Sequence, residues 1–257
     1  MDIFQAIIIG IIEGFTEFLP ISSTGHMIVA SQFLGIPESE LVKAYEVIIQ
    51  FAAILAVVVI YREKLSPRRI DLWQKLIMAF LPLGIVGFLL RHQIKALFSV
   101  PVVAWMFIIG GVIFLVVEYF YREEKAHTTE IDAVSWKQAI AIGFAQVASL
   151  IPGTSRAGAT IIGGLLAGLD RKVAAEFSFL LAIPVMAAVS GYDLLKHYHE
   201  FAHANWPAFA IGFVVAFGVA WLTIKLFIAF LSRFTFVPFG IYRIVFGVIL
   251  LAMGGRM

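Results

Sequence analysis

The sequence has no cysteine among its 257 residues. That absence excludes a disulfide framework, a thiolate zinc site and a cysteine nucleophile, and leaves the compartment open. Charge is scarce as well: 14% of the residues are Asp, Glu, Lys or Arg, against about 25% in a soluble domain. So few charged groups, many of them bunched into short stretches, cannot give a soluble fold of this length a polar shell. A formal net charge of +2 offers no surface for nucleic acid. The first apolar run, from Ile3, lacks a basic leader and meets Glu13 and Glu17 before any small-residue cleavage site. It is therefore not expected to be a cleaved signal peptide.

What is present is apolar: 61% of the residues are hydrophobic and 24 are Phe. The surface is expected to face lipid, in an all-α polytopic membrane protein forming a single membrane domain. A helix needs about 20 apolar residues to cross a bilayer core, fewer where flanking charges snorkel. Six charge-poor runs meet that condition: 43–61, 76–91, 100–121, 173–192, 207–231 and 237–254. Four others, 3–19, 26–35, 137–151 and 157–168, are short or interrupted. They are joined in pairs by Pro20-Ile21-Ser22-Ser23-Thr24-Gly25 and by Pro152-Gly153-Thr154-Ser155-Arg156. A helix of about 12 residues rises only ~18 Å. Each pair, 3–35 and 137–168, is thus predicted to be a re-entrant hairpin that reverses at mid-membrane. The alternative is ten short, tilted spans.

Hairpin and three spans occur twice, in 1–122 and 135–257. Pro20 and Pro152 hold the same place in the two turns, and Lys43-Ala44-Tyr45-Glu46 is answered by Val173-Ala174-Ala175-Glu176. Three crossings per unit make the second unit enter upside down, an inverted-topology repeat. Arg62, Lys64, Arg68, Arg69, Lys75, Arg122, Lys125, Lys137, Arg171, Lys172 and Arg233 fall on one side, against Lys43, Arg91, Lys95, Lys196 and Arg256 on the other. The richer side is expected to be cytoplasmic. Both termini then lie outside, the first hairpin dips in from the outer face, and the second rises from the cytoplasmic face.

Ionisable groups at membrane depth are functional suspects. Glu13 and Glu17 stand one turn apart on one face of the descending helix, with Ser22, Ser23, Thr24 and His26 following at its tip. The second tip answers with Thr154, Ser155, Arg156 and Thr160. Hydroxyl residues before each outgoing helix can cap it, and helix N-termini attract anions. With Arg156 they predict a phosphate site. Two carboxylates beside a diphosphate require a divalent cation, Mg²⁺ or Ca²⁺, shared between Glu13, Glu17 and phosphate oxygens. Ser23 and His26, three apart, read as a nucleophile with a general base. The pattern points to phosphoryl chemistry on a substrate with a lipid tail. His197, His199 and His203 read as a solvated loop rather than a zinc site. Glu46 with Gln50, and Glu176, read as structural, holding the hairpins or pairing with Arg243. Pro184 is expected to kink its helix and Lys225 to snorkel.

The segments Glu-Gly-Phe-Thr-Glu-Phe-Leu-Pro-Ile-Ser-Ser-Thr-Gly-His (13–26) and Pro-Gly-Thr-Ser-Arg-Ala-Gly-Ala-Thr (152–160) closely resemble the two signature motifs of the bacterial undecaprenyl-diphosphate phosphatases, the bacitracin-resistance family. The resemblance covers essentially the whole chain. It implies an inner-membrane enzyme that removes one phosphate from the C55 isoprenoid diphosphate, recycling the carrier lipid for peptidoglycan synthesis. It points to Glu13 and Glu17 as the acidic pair, Ser23 as nucleophile, His26 as its companion and Arg156 as diphosphate clamp. Ser22, Thr24, Ser155 and Thr160 are implied as supporting hydroxyls. It also implies a site open to the outer face. Ala157 departs from the family, which often has Ser after the Arg. A Ser-Arg-x5-His lipid phosphatase motif does not fit, since Ile162 stands where His is needed. His26 or Glu17 would take the proton of Ser23, with direct attack by water as the alternative chemistry. A transporter or lipid flippase is the rival reading, and a homodimer is among the arrangements admitted.

Overall fold

The structure is a computed structural model that describes residues 1–196, 199 and 205–253. His197, His203 and Arg256 lie outside the described residues, as does the side chain of Lys196. Among the described residues eleven α-helices follow in order: α1 (Ile3–Thr16), α2 (Ser23–Phe33), α3 (Glu40–Ile60), α4 (Ile70–Leu89), α5 (Arg91–Ala96) and α6 (Val100–Phe120) come first. After them run α7 (Trp136–Gln146), α8 (Arg156–Leu166), α9 (Arg171–Lys196), α10 (Trp206–Leu231) and α11 (Val237–Met253).

Local chemistry explains where these helices begin. Asp2 and Ser135 close capping boxes with Gln5 and Gln138 at the starts of α1 and α7, each satisfying two otherwise orphaned donors. Ser39 accepts from the Val42 N–H and Asn205 from the Ala208 N–H at the starts of α3 and α10. Among the described residues, five helices, α3, α4, α6, α9 and α10, are long and apolar enough to cross a membrane. The sixth expected span, 237–254, coincides with α11, of which 17 residues are described, and a helix of that length rises about 25 Å. Three of the long helices take in charged residues ahead of the apolar runs: Glu40 in α3, Asp71 and Lys75 in α4, and Arg171 and Lys172 in α9. Asp71 and Lys75 pair one turn apart at 2.5 Å, so charge at a helix start does not mark its boundary. Pro184 lies inside α9 without ending it.

The packing follows a paired pattern. Helix α1 lies along α10, and α7 lies along α4; α10 packs on α3, and α4 packs on α9. The pair α3 with α9 joins the two sets, and α6 packs along α11. Glycine permits the first two approaches. A Cβ on Gly10 would stand 2.8 Å from the Gly212 carbonyl oxygen, and one on Gly143 would stand 2.5 Å from that of Ala79. Small residues bring helices this close in a lipid environment, where packing replaces the hydrophobic drive. The buried apolar core lies among α3, α4, α8, α9 and α10, with Phe18, Leu19 and Ile21 of the first turn inserted into it. Outward-facing Phe88, Leu89, Phe120, Val214 and Leu226 remain exposed, a belt suited to lipid chains.

The four short helices form two hairpins of matching build. Helix α1 packs on α2, and α7 packs on α8. Ser22 at φ 70° and Ser155 at φ 75° begin the outgoing helices, and Gly35 and Gly168, also with positive φ, follow their ends.

Candidate active site

Both hairpin turns are sharp because their sequences forbid helix continuation. Pro20 and Pro152 have no N–H to donate, and Gly153 adopts φ 91°. Ser22 and Ser155 are the only non-glycine residues with positive φ among those described. Such backbone costs about 1–3 kcal/mol at each residue and concentrates where function demands it. The two serines differ in use. Ser155 Oγ accepts from the Gly158 N–H at 3.0 Å and caps α8, whereas the Ser22 side chain makes no capping bond to α2. The capping expected of both turns therefore holds at the second alone.

The turns place Ser23, Glu17 and Arg156 in one chain of contacts. Ser23 Oγ donates to Glu17 Oε2 at 2.6 Å. Arg156 Nη2 donates to the other oxygen, Oε1, at 3.1 Å. Arg156 Nη1 is fixed on the Ser178 carbonyl at 3.0 Å, while its Nε is buried without a partner. Glu17 and Arg156 are almost fully buried. Ion pairs so placed carry a large desolvation cost, and one at the meeting of two strained turns is a candidate for a functional site.

Glu13 lies one turn before Glu17, fully enclosed, with neither carboxylate oxygen hydrogen-bonded. A buried carboxylate without a donor is costly. A hard cation would relieve it, and two carboxylates with phosphate oxygens are a donor set that Mg²⁺ or Ca²⁺ accepts. No cluster of three or more acidic, His or Cys side chains suited to a metal occurs among the described residues. Any ion here would therefore draw its remaining ligands from substrate or water.

His26 is on the outgoing helix as expected, yet it is bonded away from Ser23. Its Nδ1 is 2.7 Å from the Ser22 carbonyl and its Nε2 is 2.6 Å from Tyr242 Oη. The ring also stacks on Phe246 at 4.7 Å. The group in hydrogen-bond contact with Ser23 is Glu17, because a three-residue step along a helix sets direction but not rotamer. Thr160 is buried, and its hydroxyl bonds to the Arg156 and Ala157 carbonyls and to Ser178 Oγ. Thr24 is half-buried and lines a cavity of about 710 Å³ with Met27, Lys43, Glu46, Gln50 and Lys95. Thr154 Oγ1 is buried without a partner.

The pairing of Glu46 or Glu176 with Arg243 is replaced. Glu176 binds Lys64 at 2.7 Å, and Arg243 reaches three backbone carbonyls. Lys225 holds its Nζ 3.6 Å over the Trp221 ring, a cation–π contact. Two residues escaped the sequence reading. Tyr242 is 216 positions from His26, and nothing local signals that contact. Gln146 is fully buried with both side-chain polar atoms unpartnered. It precedes Ser155 by the same interval as Glu13 precedes Ser22, a signal the repeat could have supplied.

The helices suited to a membrane and the two strained turns that join a hydroxyl, a carboxylate and a guanidinium define a polytopic helical protein with a polar cluster whose chemistry suits an anionic group. Comparison with known proteins narrows that class. The chain belongs to the family described as "Bacitracin resistance protein BacA", whose pattern it matches over residues 6–249. It is 75% identical over 251 residues to the undecaprenyl-diphosphatase of Sulfurovum sp. (strain NBC37-1), covering 98% of this chain and 99% of that protein. The undecaprenyl-diphosphatase of Sulfurimonas denitrificans is 63% identical over 252 residues, with 98% of each chain covered. That of Wolinella succinogenes is 52% identical over 251 residues, again with 98% of each covered.

Proposed function

We propose that this chain is a membrane-embedded undecaprenyl-diphosphatase, hydrolysing the C55 isoprenoid diphosphate to the monophosphate and phosphate. It thereby recycles the carrier lipid used in peptidoglycan synthesis and supports bacitracin resistance. One observation carries the chemistry: Ser23 donates to a Glu17 oxygen whose carboxylate partner, Arg156, comes from the other hairpin. The groups that this reading makes nucleophile, base and phosphate clamp form one hydrogen-bonded chain through Glu17.

In this reading the arriving diphosphate takes the Arg156 donors, Nε and Nη2 together, in a fork geometry suited to phosphate oxygens. Glu17 loses its cationic partner and becomes free to accept the Ser23 proton. Ser23 Oγ bonds to the terminal phosphorus, and the bond from that phosphorus to the bridging oxygen breaks. Undecaprenyl phosphate departs with the bridging oxygen. Water then attacks the phosphorus of the phosphoserine and gives up a proton to solvent, the bond from Oγ to phosphorus breaks as Glu17 returns its proton to Ser23, and phosphate leaves. A divalent cation held by Glu13 and Glu17, Mg²⁺ or Ca²⁺, would polarise the phosphoryl group and offset charge on the leaving phosphate. Ser22, Thr24, Ser155 and Thr160 support the turns and the phosphate, and His26 secures the first turn through the Ser22 carbonyl. Attack by water is the second reading, favoured by the unpartnered Glu13 oxygens, which could orient it. Labelled substrate followed by acid quenching separates the two: label retained on Ser23 supports the first, and a Ser23→Ala variant with most of its activity overturns it.

The arrangement in the bilayer completes the proposal. Residues 1–122 and 135–257 form inverted repeats, each a re-entrant hairpin and three spans, with α11 as the sixth span. The matched packing of α1 on α10 and α7 on α4 supports this. The termini and the site face the outer side, in keeping with the excess of basic residues on the other. A homodimer would be seated on the apolar belt, and two chains per nanodisc is its test. Labelling of single cysteines by a membrane-impermeant reagent tests the orientation.

A further inference from the structure

Arg243 is the largest of the fully enclosed side chains, at 0% exposure, and no carboxylate pairs with it among the described residues. Its guanidinium is spent on backbone. Nη1 donates to the Pro20 carbonyl at 3.0 Å, and Nη2 donates to the carbonyls of Gly153 at 3.0 Å and Met106 at 2.9 Å. Pro20 stands two residues before Ser22 and Gly153 two residues before Ser155. One side chain therefore holds the two turns at the same place relative to their positive-φ serines.

The surroundings are shaped for this contact. A Cβ on Gly110 would fall 2.2 Å from Arg243 Nη2, so α6 leaves a gap that only glycine provides. The Phe107 ring lies 5.3 Å from the guanidinium carbon and covers one face. Carbonyls beyond the end of an incoming helix lack helical partners, and a planar fork of fixed donors can take one from each turn. An ammonium is a point charge without that span.

We propose that Arg243 is a positioning residue for the hydrolysis: it sets the register between the first turn, which carries Glu17 and Ser23, and the second, which carries Arg156. It touches no reacting atom. Its effect passes through the distance between nucleophile and clamp, and misplacement by about 1 Å can cost about 10²-fold in rate. The kinetic part of this inference rests on the diphosphatase reading, and the geometric part does not.

The test uses the full chain in nanodiscs and exploits its lack of cysteine. Spin labels on Phe33→Cys and Leu166→Cys, both exposed sites near the far ends of α2 and α8, report the separation of the hairpins. With Arg243 present a narrow distance distribution is expected; Arg243→Met and Arg243→Lys should broaden or displace it. In unlabelled protein kcat per folded molecule should fall by about 10²-fold in Arg243→Met, with KM changed far less, and Arg243→Lys should recover only part of the loss. Gly110→Ala, which crowds the guanidinium without removing it, should move distance and kcat in the same direction, while Gly218→Ala, whose Cβ meets nothing within 4 Å, should leave both unchanged. If Arg243→Met does not fold, Gly110→Ala decides. An unaltered distance distribution with kcat within threefold of the parent overturns the proposal, as does a lowered melting temperature with kcat per folded molecule intact. Absence of phosphate release from the parent protein would count against the diphosphatase reading alone, because the distance measurement still reports on the tie.

Discussion

Ser23 donates its hydroxyl hydrogen bond to Glu17 across the first hairpin turn, at 2.6 Å and out of contact with bulk water. The proposed nucleophile and its proposed proton acceptor are thus encoded six positions apart, on either side of a turn that folds them together. Removing either member should be severe. Glu17→Gln is expected to lower kcat by about 10²–10⁴-fold, the range for a lost general base, and Ser23→Ala to lower it at least as far. Phosphate release from an isoprenoid diphosphate in detergent measures both. A Glu17→Gln enzyme within tenfold of the parent would contradict the assignment.

Arg156 should not tolerate lysine. Its Nη1 is fixed on the Ser178 carbonyl, Nη2 meets Glu17 and Nε has no partner; the proposed mechanism turns Nε and Nη2 to the substrate, and an ammonium cannot serve those directions at once. Arg156→Lys is expected to lose about 10²–10³-fold in kcat/KM, the scale for one missing donor to an anionic transition state. Activity near that of the parent would show that charge alone suffices.

Metal dependence is expected from the buried Glu13, whose carboxylate oxygens have no hydrogen-bond partner. A chelator should abolish phosphate release, and Mg²⁺ or Ca²⁺ should restore it. Glu13→Gln should raise the metal concentration needed for half-maximal rate, read by titrating metal into stripped protein. Turnover that ignores the chelator would remove the cation from the scheme.

For His26 the bonding pattern predicts a holding role. Tyr242→Phe deletes the 2.6 Å contact, and the loss of one such bond corresponds to about 0.5–1.5 kcal/mol, or roughly tenfold at most in rate. His26→Asn, which retains a polar group near the Ser22 carbonyl, should keep more activity than His26→Ala. Equal and complete loss in both would instead favour His26 as a proton carrier.

Packing makes its own prediction. Gly143→Ala would set a methyl group 2.5 Å from the Ala79 carbonyl oxygen, and overpacking of this kind costs about 1–3 kcal/mol. A lower melting temperature in detergent is expected, with kcat of the folded fraction preserved. A gain in stability would show that α4 and α7 can separate without cost.

The amino-acid sequence by itself determined the lipid-facing character, most of the helix positions and both turns. Long apolar runs, capping residues and prolines act through neighbours in the chain, so their effects can be read locally. Even the acidic pair and its neighbouring serine were legible, because one turn of helix separates the carboxylates and a short reversal brings Ser23 back to them. The tertiary structure decided what each polar group touches. Glu17 meets Arg156 across 139 positions, His26 turns to Tyr242, and Arg243 finds carbonyls, with a carboxylate only one of the alternatives the sequence offered. Those choices depend on how far each helix is rotated and how closely glycine lets two helices approach. Such quantities are fixed only when all the helices pack at once.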